Sequence, residues 1–403
     1  MFEQDIKNLD MNFLLKTLPL PHYQGFSGQN LDDGKPGSPS PAPGYWHRSC
    51  THSECTWHQL SPYIGKLKSS IAHDLIHAYS KPGDLVVDPF SGSGTVPLEA
   101  ALLGRRVFAA DISPYARILT IAKLHAPACL EAAIDKAENL LSLASDQPGP
   151  DLGTIPGWVR RFFHPQTLDE IVRFASVARE AGNEFLMACF LGILHHERPG
   201  FLSFPASHLV PYLRDKKYPP QEFPGMYAYR PLRPRLLAKI KRVYKRNPGL
   251  PGSLDRSFRK CEIEDLEFPP GFDCLVTSPP YMNALDYGRD NRLRLWFIDP
   301  GAEEKTDNPV TRNREVFYQA ISTMAQKINR CLKKGGYCLL IVGERLEGGK
   351  NANLSNHICR IMTEKAPHLQ LISLMKDTIP DIRRARRNCR GTKSEHILVY
   401  QKS

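Results

Sequence analysis

The stretch DLVVDPFSGSGTVPLEAALLGRRVFAAD, at positions 84–111, constrains the fold more than any other part of the chain. Asp84 to Asp88 is rich in apolar and β-branched residues, as a buried strand requires. Gly92 and Gly94 then supply a turn in which the chain can reverse without side chains in the way. TVPLEAALL reads as a helix stopped by Gly104, and Arg106 to Ala110 reads as a second strand. A strand, a tight turn, a helix and a strand in so short a span can close only as a βαβ unit, which commits the molecule to a parallel sheet buried on both faces.

Further strands are expected at Phe272 to Thr277, Gly336 to Val342, Leu369 to Met375 and His396 to Gln401, and all but the last follow helical or connecting segments. The fold class is therefore α/β, a doubly wound, mostly parallel sheet. Its two halves are residues 58–126 and 256–403, separated by an insertion over 127–255. The insertion opens on TLDEIVRFASVAREAGNEFLMACFLGILHH, which reads as helical, and continues proline-rich, aromatic and then strongly basic. An N-terminal tail, 1–57, contains a linker of small and polar residues at 24–44 that is expected to be mobile. SPYIGKLKSSIAHDLIHAYS, from Ser61, reads as a helix leading into the βαβ unit.

Lys and Arg number 53 against 42 Asp and Glu, a net charge of +11 that favours a polyanionic partner. Most concentrated is RPLRPRLLAKIKRVYKR, Arg230 to Arg246, with eight cations among seventeen residues and no acid. Leu236, Leu237, Ile240 and Val243 recur at helical spacing, so Arg230, Arg233, Arg235, Lys239, Lys241, Arg242, Lys245 and Arg246 are candidates to track a phosphate backbone. IRRARRNCRGTK, 382–393, is a second basic cluster. No apolar run is long enough for a membrane span, and the first residues lack the pattern of a signal peptide, so a cytoplasmic protein is expected. The ten cysteines then read as thiols. Cys50, His52, Cys55 and His58 in CTHSECTWH fit no standard zinc spacing and read as a local polar segment.

The loop DPFSGSGT, Asp88 to Thr95, sits where a strand hands over to a helix, and its glycines let a ligand approach the backbone. Asp111 ends the next strand at the spacing from which an acid takes ribose hydroxyls. Pro97 stands where a dinucleotide fingerprint has its third glycine, which favours a nucleoside ligand without a pyrophosphate. Asp88 and Phe90 can each touch that ligand, or can cap the helix and fill the core respectively.

Downstream, FDCLVTSPPY runs an apolar strand straight into Ser278-Pro279-Pro280-Tyr281, where two prolines end any strand pairing. DPFSGSGT followed by TSPPY resembles the signature pair of the amino-group DNA methyltransferases. SPYIGKL (Ser61 to Leu67), CEIEDL (Cys261 to Leu266), KKGGYCLLIVGE and EHILVYQK are similar to further segments of that family, and the resemblance covers roughly 58–125 and 258–403. It implies a class I, Rossmann-like methyltransferase sheet, S-adenosyl-L-methionine as cofactor, double-stranded DNA as partner and, where such enzymes serve restriction and modification, a cognate restriction endonuclease. It further implies cofactor contacts from Tyr63, Asp88, Phe90, Gly92, Gly94, Thr95, Asp111 and Glu262, the last near the adenine. The insertion would then hold the target-recognition region, although it precedes the Glu262 segment.

An exocyclic amino group is a poor nucleophile because its lone pair is delocalised into the ring. Acceptors for both amino hydrogens favour the pyramidal nitrogen, and Ser278 Oγ with the Pro279 carbonyl can supply them without changing charge. Pro279 and Pro280 stiffen the loop, and Tyr281 offers a flat face to a base swung out of the duplex. Serine at the first position goes, in the family, with cytosine N4; adenine N6, an RNA amino group, and a silent nucleic-acid-binding module on the same fold remain as alternatives. Asn283, Asp286 and Tyr287 follow directly and can line the pocket or begin a helix.

Overall fold

The computed structural model describes residues 39–47, 54–196, 200–203, 218–281, 287–300, 313–344, 346–347, 350–351, 354–378 and 394–403. Helix α1 (Ser69–Tyr79) leads to strand β2 (Leu85–Asp88), helix α2 (Thr95–Leu102) and strand β3 (Arg106–Ala110), the expected βαβ unit. Strand β1, the pair Ser40–Pro41, precedes them, inside the stretch expected to be a mobile linker. It pairs in parallel with Met375 and Lys376, and nearby Trp46 is fully buried with its indole N–H on Asp74 at 2.5 Å.

The helix expected from Ser61 starts only at Ser69. Its first residues are used otherwise: the Tyr115 hydroxyl donates to the Pro62 carbonyl at 2.6 Å and stands 2.6 Å from Ser61 Oγ, and Lys66 reaches the His58 carbonyl at 2.8 Å. Helix α3 (Pro114–Leu124), capped by Ser113, and α4 (Leu130–Asp146) follow. The long helical stretch of the insertion is two helices, α5 (Pro165–Glu180) and α6 (Glu184–Leu191), broken by Gly182 and restarted by Asn183, whose side chain caps Leu186 N–H at 3.0 Å. The basic segment forms α7 (Leu232–Val243), and Glu170 accepts its first free N–H at 2.8 Å.

Strand β4 (Arg256–Arg259) was not legible beforehand, being short and polar. The remaining elements are β5 (Phe272–Thr277), α8 (Tyr287–Ile298), α9 (Arg314–Cys331), β6 (Leu332–Glu344), α10 (Leu354–Lys365), β7 (Leu369–Thr378) and β8 (Ser394–Lys402). Apart from a short antiparallel pair, Leu346–Glu347 with Lys350–Asn351, the described strands form one sheet of eight in the order β1-β7-β8-β6-β5-β2-β3-β4. β8 is antiparallel to β6 and β7, and the sheet's other pairings are parallel. This is the expected doubly wound, mostly parallel sheet, with one reversed strand. The chain walks from β2 to the β4 edge, then returns to β5 beside β2. That reversal opens a crevice at the carboxyl ends of β2 and β5, where open sheets of this class bind ligands.

Alternation along the strands divides the core. Val86, Val107, Cys274, Val276, Leu339 and Ile341 pack under α1 and α2, while Val87, Leu275, Cys338, Leu340 and Leu398 pack under α9 and α10. A third cluster joins Tyr115, Ile118 and Leu119 of α3 to Phe174, Phe190 and Leu236 of the insertion and Phe297 of α8. The inserted helices therefore share a core with helices of the sheet. Each fully buried ring or aliphatic side chain contributes about 2 kcal/mol of transfer free energy, so this seam is an extensive one.

Candidate active site

The two motif loops leave neighbouring strands. Thr277, the last residue of β5, donates its hydroxyl to Asp88 Oδ1, at the end of β2, over 2.7 Å. Beyond Asp88 the loop folds on itself: Ser91 N–H reaches the Ala110 carbonyl at 2.9 Å and Gly94 N–H the Ser91 carbonyl at 2.7 Å. Gly92 and Gly94 have φ of 48° and 71°, in the left-handed region. A Cβ on Gly94 would stand 2.9 Å from Thr120 Cα, so the loop presses onto α3 there; on Gly92 it would meet only the Tyr63 ring, at 3.4 Å. Asp111 ties β3 to the loop, taking Gly92 N–H on one oxygen and Ser113 N–H on the other, both at 2.8 Å. Buried Lys123 supports the loop from beneath, donating to the Ser93 carbonyl.

A cavity of about 360 Å³ opens between the loops. Asp88, Phe90, Gly92, Thr95 and Asp111 line it from one side, Ser278, Pro280 and Tyr281 from the other, and Tyr63 joins them. Three predicted residues are absent from the wall: Gly94 is buried against Thr120, Pro279 is buried behind the wall, and Glu262 is exposed. Lys260, two residues earlier, lines the cavity instead, as do Lys66 and Tyr287. Asn283 and Asp286 lie outside the described residues. Tyr63 is the middle of an aromatic ladder, with ring centroids 5.7 Å from Tyr115 and 5.9 Å from Tyr287.

Burial pushes Asp88 up to about 7, against the hydrogen bonds from Thr277 and the Phe90 N–H. Asp111 is likewise pushed up to about 6 by burial, against its backbone donors. Tyr281 is 8% exposed, packs against Ile64 and Tyr287, and donates its phenolic proton to Glu395 on β8. Burial and that carboxylate push its own titration far up. No spacing in the chain pointed to Glu395, Thr277 or Lys123, each of which meets its motif across the fold. An adenosyl ligand suits the groups present: a carboxylate at the end of β3, a loop without Cβ atoms at its tip, and aromatic walls.

His58, expected in a local polar segment, is fully enclosed and bonded through Nε2 to Glu99 Oε1 at 2.6 Å, with His73 on the other oxygen at 3.1 Å. Burial would raise Glu99, but the two imidazoles hold it down to about 2. Cys50 and His52 lie outside the described residues, and the eight cysteines within them are free thiols.

The basic helix differs from expectation at Lys239. That side chain was expected to be available to phosphate, yet it is buried, with Nζ on the Gln59 carbonyl at 2.6 Å, and burial pulls its titration down to about 8. Its place at the seventh residue after Leu232 puts it on the buried stripe with Leu236 and Val243. Arg230 and Arg235 are half-buried and donate to backbone carbonyls, and Arg246 donates to the Glu54 carbonyl at 3.4 Å. Arg233, Lys241, Arg242 and Lys245 are exposed, Arg233 beside Glu138 at 2.9 Å. The cluster at 382–393 lies outside the described residues. Among the described residues no helix is long and apolar enough to cross a membrane.

Comparison with known proteins finds likenesses around the glycine loop. Residues 35–122 match the sequence model of a family described as DNA methylase, the N6/N4 amino-group type. The Type II methyltransferase M.MjaII of Methanocaldococcus jannaschii is 31% identical over 67 residues, which is 17% of this chain and 13% of that relative's length. Among solved structures, TrmN from Thermus thermophilus aligns over 86% of this chain and 52% of its own, at 13% identity and a TM-score of 0.35. The rRNA methyltransferase aviRa of Streptomyces viridochromogenes aligns over 88% and 96%, at 11% identity and a TM-score of 0.32.

Proposed function

We propose that this chain, which over residues 35–122 is of the N6/N4 amino-group DNA methylase family, transfers a methyl group from S-adenosyl-L-methionine to the exocyclic amino group of a base in double-stranded DNA. The observation that carries the reading is the convergence of DPFSGSGT and SPPY: loops from adjacent strands wall one cavity, and Thr277 bonds to Asp88 between them.

When bound, S-adenosyl-L-methionine supplies an electrophilic methyl group on a sulfonium. Asp111 accepts the ribose hydroxyls, and Gly92 leaves the loop backbone open to the ligand, while Gly94 lets the loop press onto α3. Phe90 and Tyr63 bound it with ring faces, while Asp88 and Thr95 hold the loop's two ends. Ser278 Oγ, on the cavity wall, accepts an amino hydrogen, so that the nitrogen lone pair is released towards the methyl group. Pro279, behind the wall, and Pro280 limit reorganisation of that acceptor, and Tyr281 stacks on the flipped base. Glu262 has no part in this constellation, since its side chain stands in solvent outside the cavity.

Cytosine N4 is the preferred target, on the serine at position 278; adenine N6 is the second reading. The exposed cations of α7 follow the phosphate backbone, and the insertion at 127–255 contributes target recognition. Work in the cytoplasm within a restriction-modification or related DNA-modification system, beside a cognate endonuclease, completes the proposal.

Incubation of the purified protein with tritiated S-adenosyl-L-methionine and unmethylated DNA, followed by nucleoside digestion, tests it. N4-methylcytosine is expected, with no product from Ser278→Ala. Absence of label in DNA would overturn the reading, and N6-methyladenine would overturn the base assignment alone.

A further inference from the structure

Tyr281 closes the SPPY loop, and its ring is buried. Its hydroxyl donates to Glu395 Oε1, across a sequence separation of 114 residues. Glu395 is itself buried, and its strand holds it opposite Gly343 of β6 and Asp377 of β7, so the carboxylate is fixed by two ladders and not by a flexible loop. The Ser278 hydroxyl lies in hydrogen-bonding reach of the Tyr281 oxygen.

Donor and acceptor capacity then sets a direction. A carboxylate can only accept, so the Tyr281 proton is committed to Glu395. The phenol oxygen is left with lone pairs alone, and the proton that meets it must come from Ser278. With its proton so engaged, Ser278 Oγ offers lone pairs to the cavity. An amino group entering there meets an acceptor and not a competing donor.

We propose that Glu395 is a positioning residue for Ser278: by accepting the Tyr281 proton it polarises a Ser278–Tyr281–Glu395 chain and turns the serine lone pairs towards the target amino group. The inference rests on the methyl-transfer reading above and extends it to a residue outside both motifs. Hydrogen-bonded chains of this kind strengthen as a unit, so removal of any link should cost about as much as removal of two.

Single-turnover methyl transfer to amplified, unmethylated DNA, with cofactor affinity by calorimetry, tests the chain. Glu395→Ala is expected to slow transfer about 10- to 100-fold while the cofactor Kd stays within about twofold. Glu395→Gln should recover most of the rate, because an amide oxygen still accepts the phenolic proton. Tyr281→Phe should match Glu395→Ala, and the double variant should be no slower than the slower single. Wild-type rates in Tyr281→Phe, additive losses in the double variant, or a Glu395→Gln as slow as Glu395→Ala would each overturn the proposal. If Glu395→Ala does not fold, Glu395→Gln and Tyr281→Phe carry the test. Should the wild type itself fail to label DNA, hydrogen exchange across 278–281 separates the two claims: faster exchange in Glu395→Ala upholds the anchoring, and unchanged exchange refutes it.

Discussion

Thr277 Oγ1 stands 2.7 Å from Asp88 Oδ1, a buried contact that locks the end of the strand carrying SPPY to the end of the strand carrying the glycine loop. It is made at a cost. Burial pushes the Asp88 carboxyl up to about 7 from an ordinary 3.8, so between these values the folded chain holds a proton that the unfolded chain has released. Protons bound only in the folded state mean that stability falls as pH rises through that window. Asp88→Asn keeps an oxygen for Thr277 and removes the titration. The variant should match the wild type near pH 4 and melt a few degrees higher near pH 8, in calorimetric scans without cofactor. A difference that does not change with pH would refute this origin of the strain.

The two glycines of the loop should separate stability from binding. Alanine at 94 would place a Cβ 2.8 Å from Thr120 Oγ1 and 2.9 Å from Thr120 Cα at a φ of +71°, and backbone cannot yield as a side chain can. A loss of about 2 to 4 kcal/mol is expected from the clash and the left-handed strain together. Alanine at 92 meets only the Tyr63 ring at 3.4 Å, so its structural cost should be about 1 kcal/mol, that of the left-handed conformation. Its methyl would nevertheless stand in the cavity. Denaturant melts should rank Gly94→Ala well below Gly92→Ala, while calorimetry with S-adenosyl-L-methionine should find Gly92→Ala folded and weak in binding.

Asp111 gives the cofactor site its own pH dependence. Its carboxyl, pushed up to about 6 by burial, is protonated below that value and loses acceptor capacity there. Affinity for S-adenosyl-L-methionine should therefore weaken as pH falls through about 6. Asp111→Asn should bind about tenfold more weakly near pH 8, the scale of one charge-assisted hydrogen bond, and should lack the inflection near pH 6. Persistence of that inflection in the variant would assign it to another group.

What the chain disclosed about itself was local. The βαβ unit, the glycine turn and SPPY were legible because each is written in consecutive residues whose spacing or backbone restriction has one structural meaning. Their convergence depends on β5 settling beside β2, a pairing decided by the whole sheet and carried by no motif. The same holds for Glu395, which meets Tyr281 only because β8 enters the sheet antiparallel beside β6. Strand β4 is not legible in the chain because RSFR is too short and polar to declare itself. Lys239 is a different case: helical spacing puts it on the apolar stripe, and there its position, not its charge, decides what surrounds it.

Buried Lys239 supplies a control for the exposed cations of the basic segment. Arg233, Lys241, Arg242 and Lys245 are exposed, and each phosphate they neutralise on duplex DNA should release counterions. Alanine at any one of them that engages a phosphate should shallow the slope of log affinity against log salt by about 0.9, with little change in melting temperature. Lys239→Ala should do the reverse. Its Nζ is bonded to the Gln59 carbonyl and its stem is packed, so the loss should fall on stability, about 1 to 2 kcal/mol, while the salt slope stays that of the wild type. Fluorescence anisotropy of a labelled duplex over a salt series, beside thermal melts of the five variants, reads both. A salt slope altered in Lys239→Ala but in none of the four surface variants would move the phosphate path away from this face of α7.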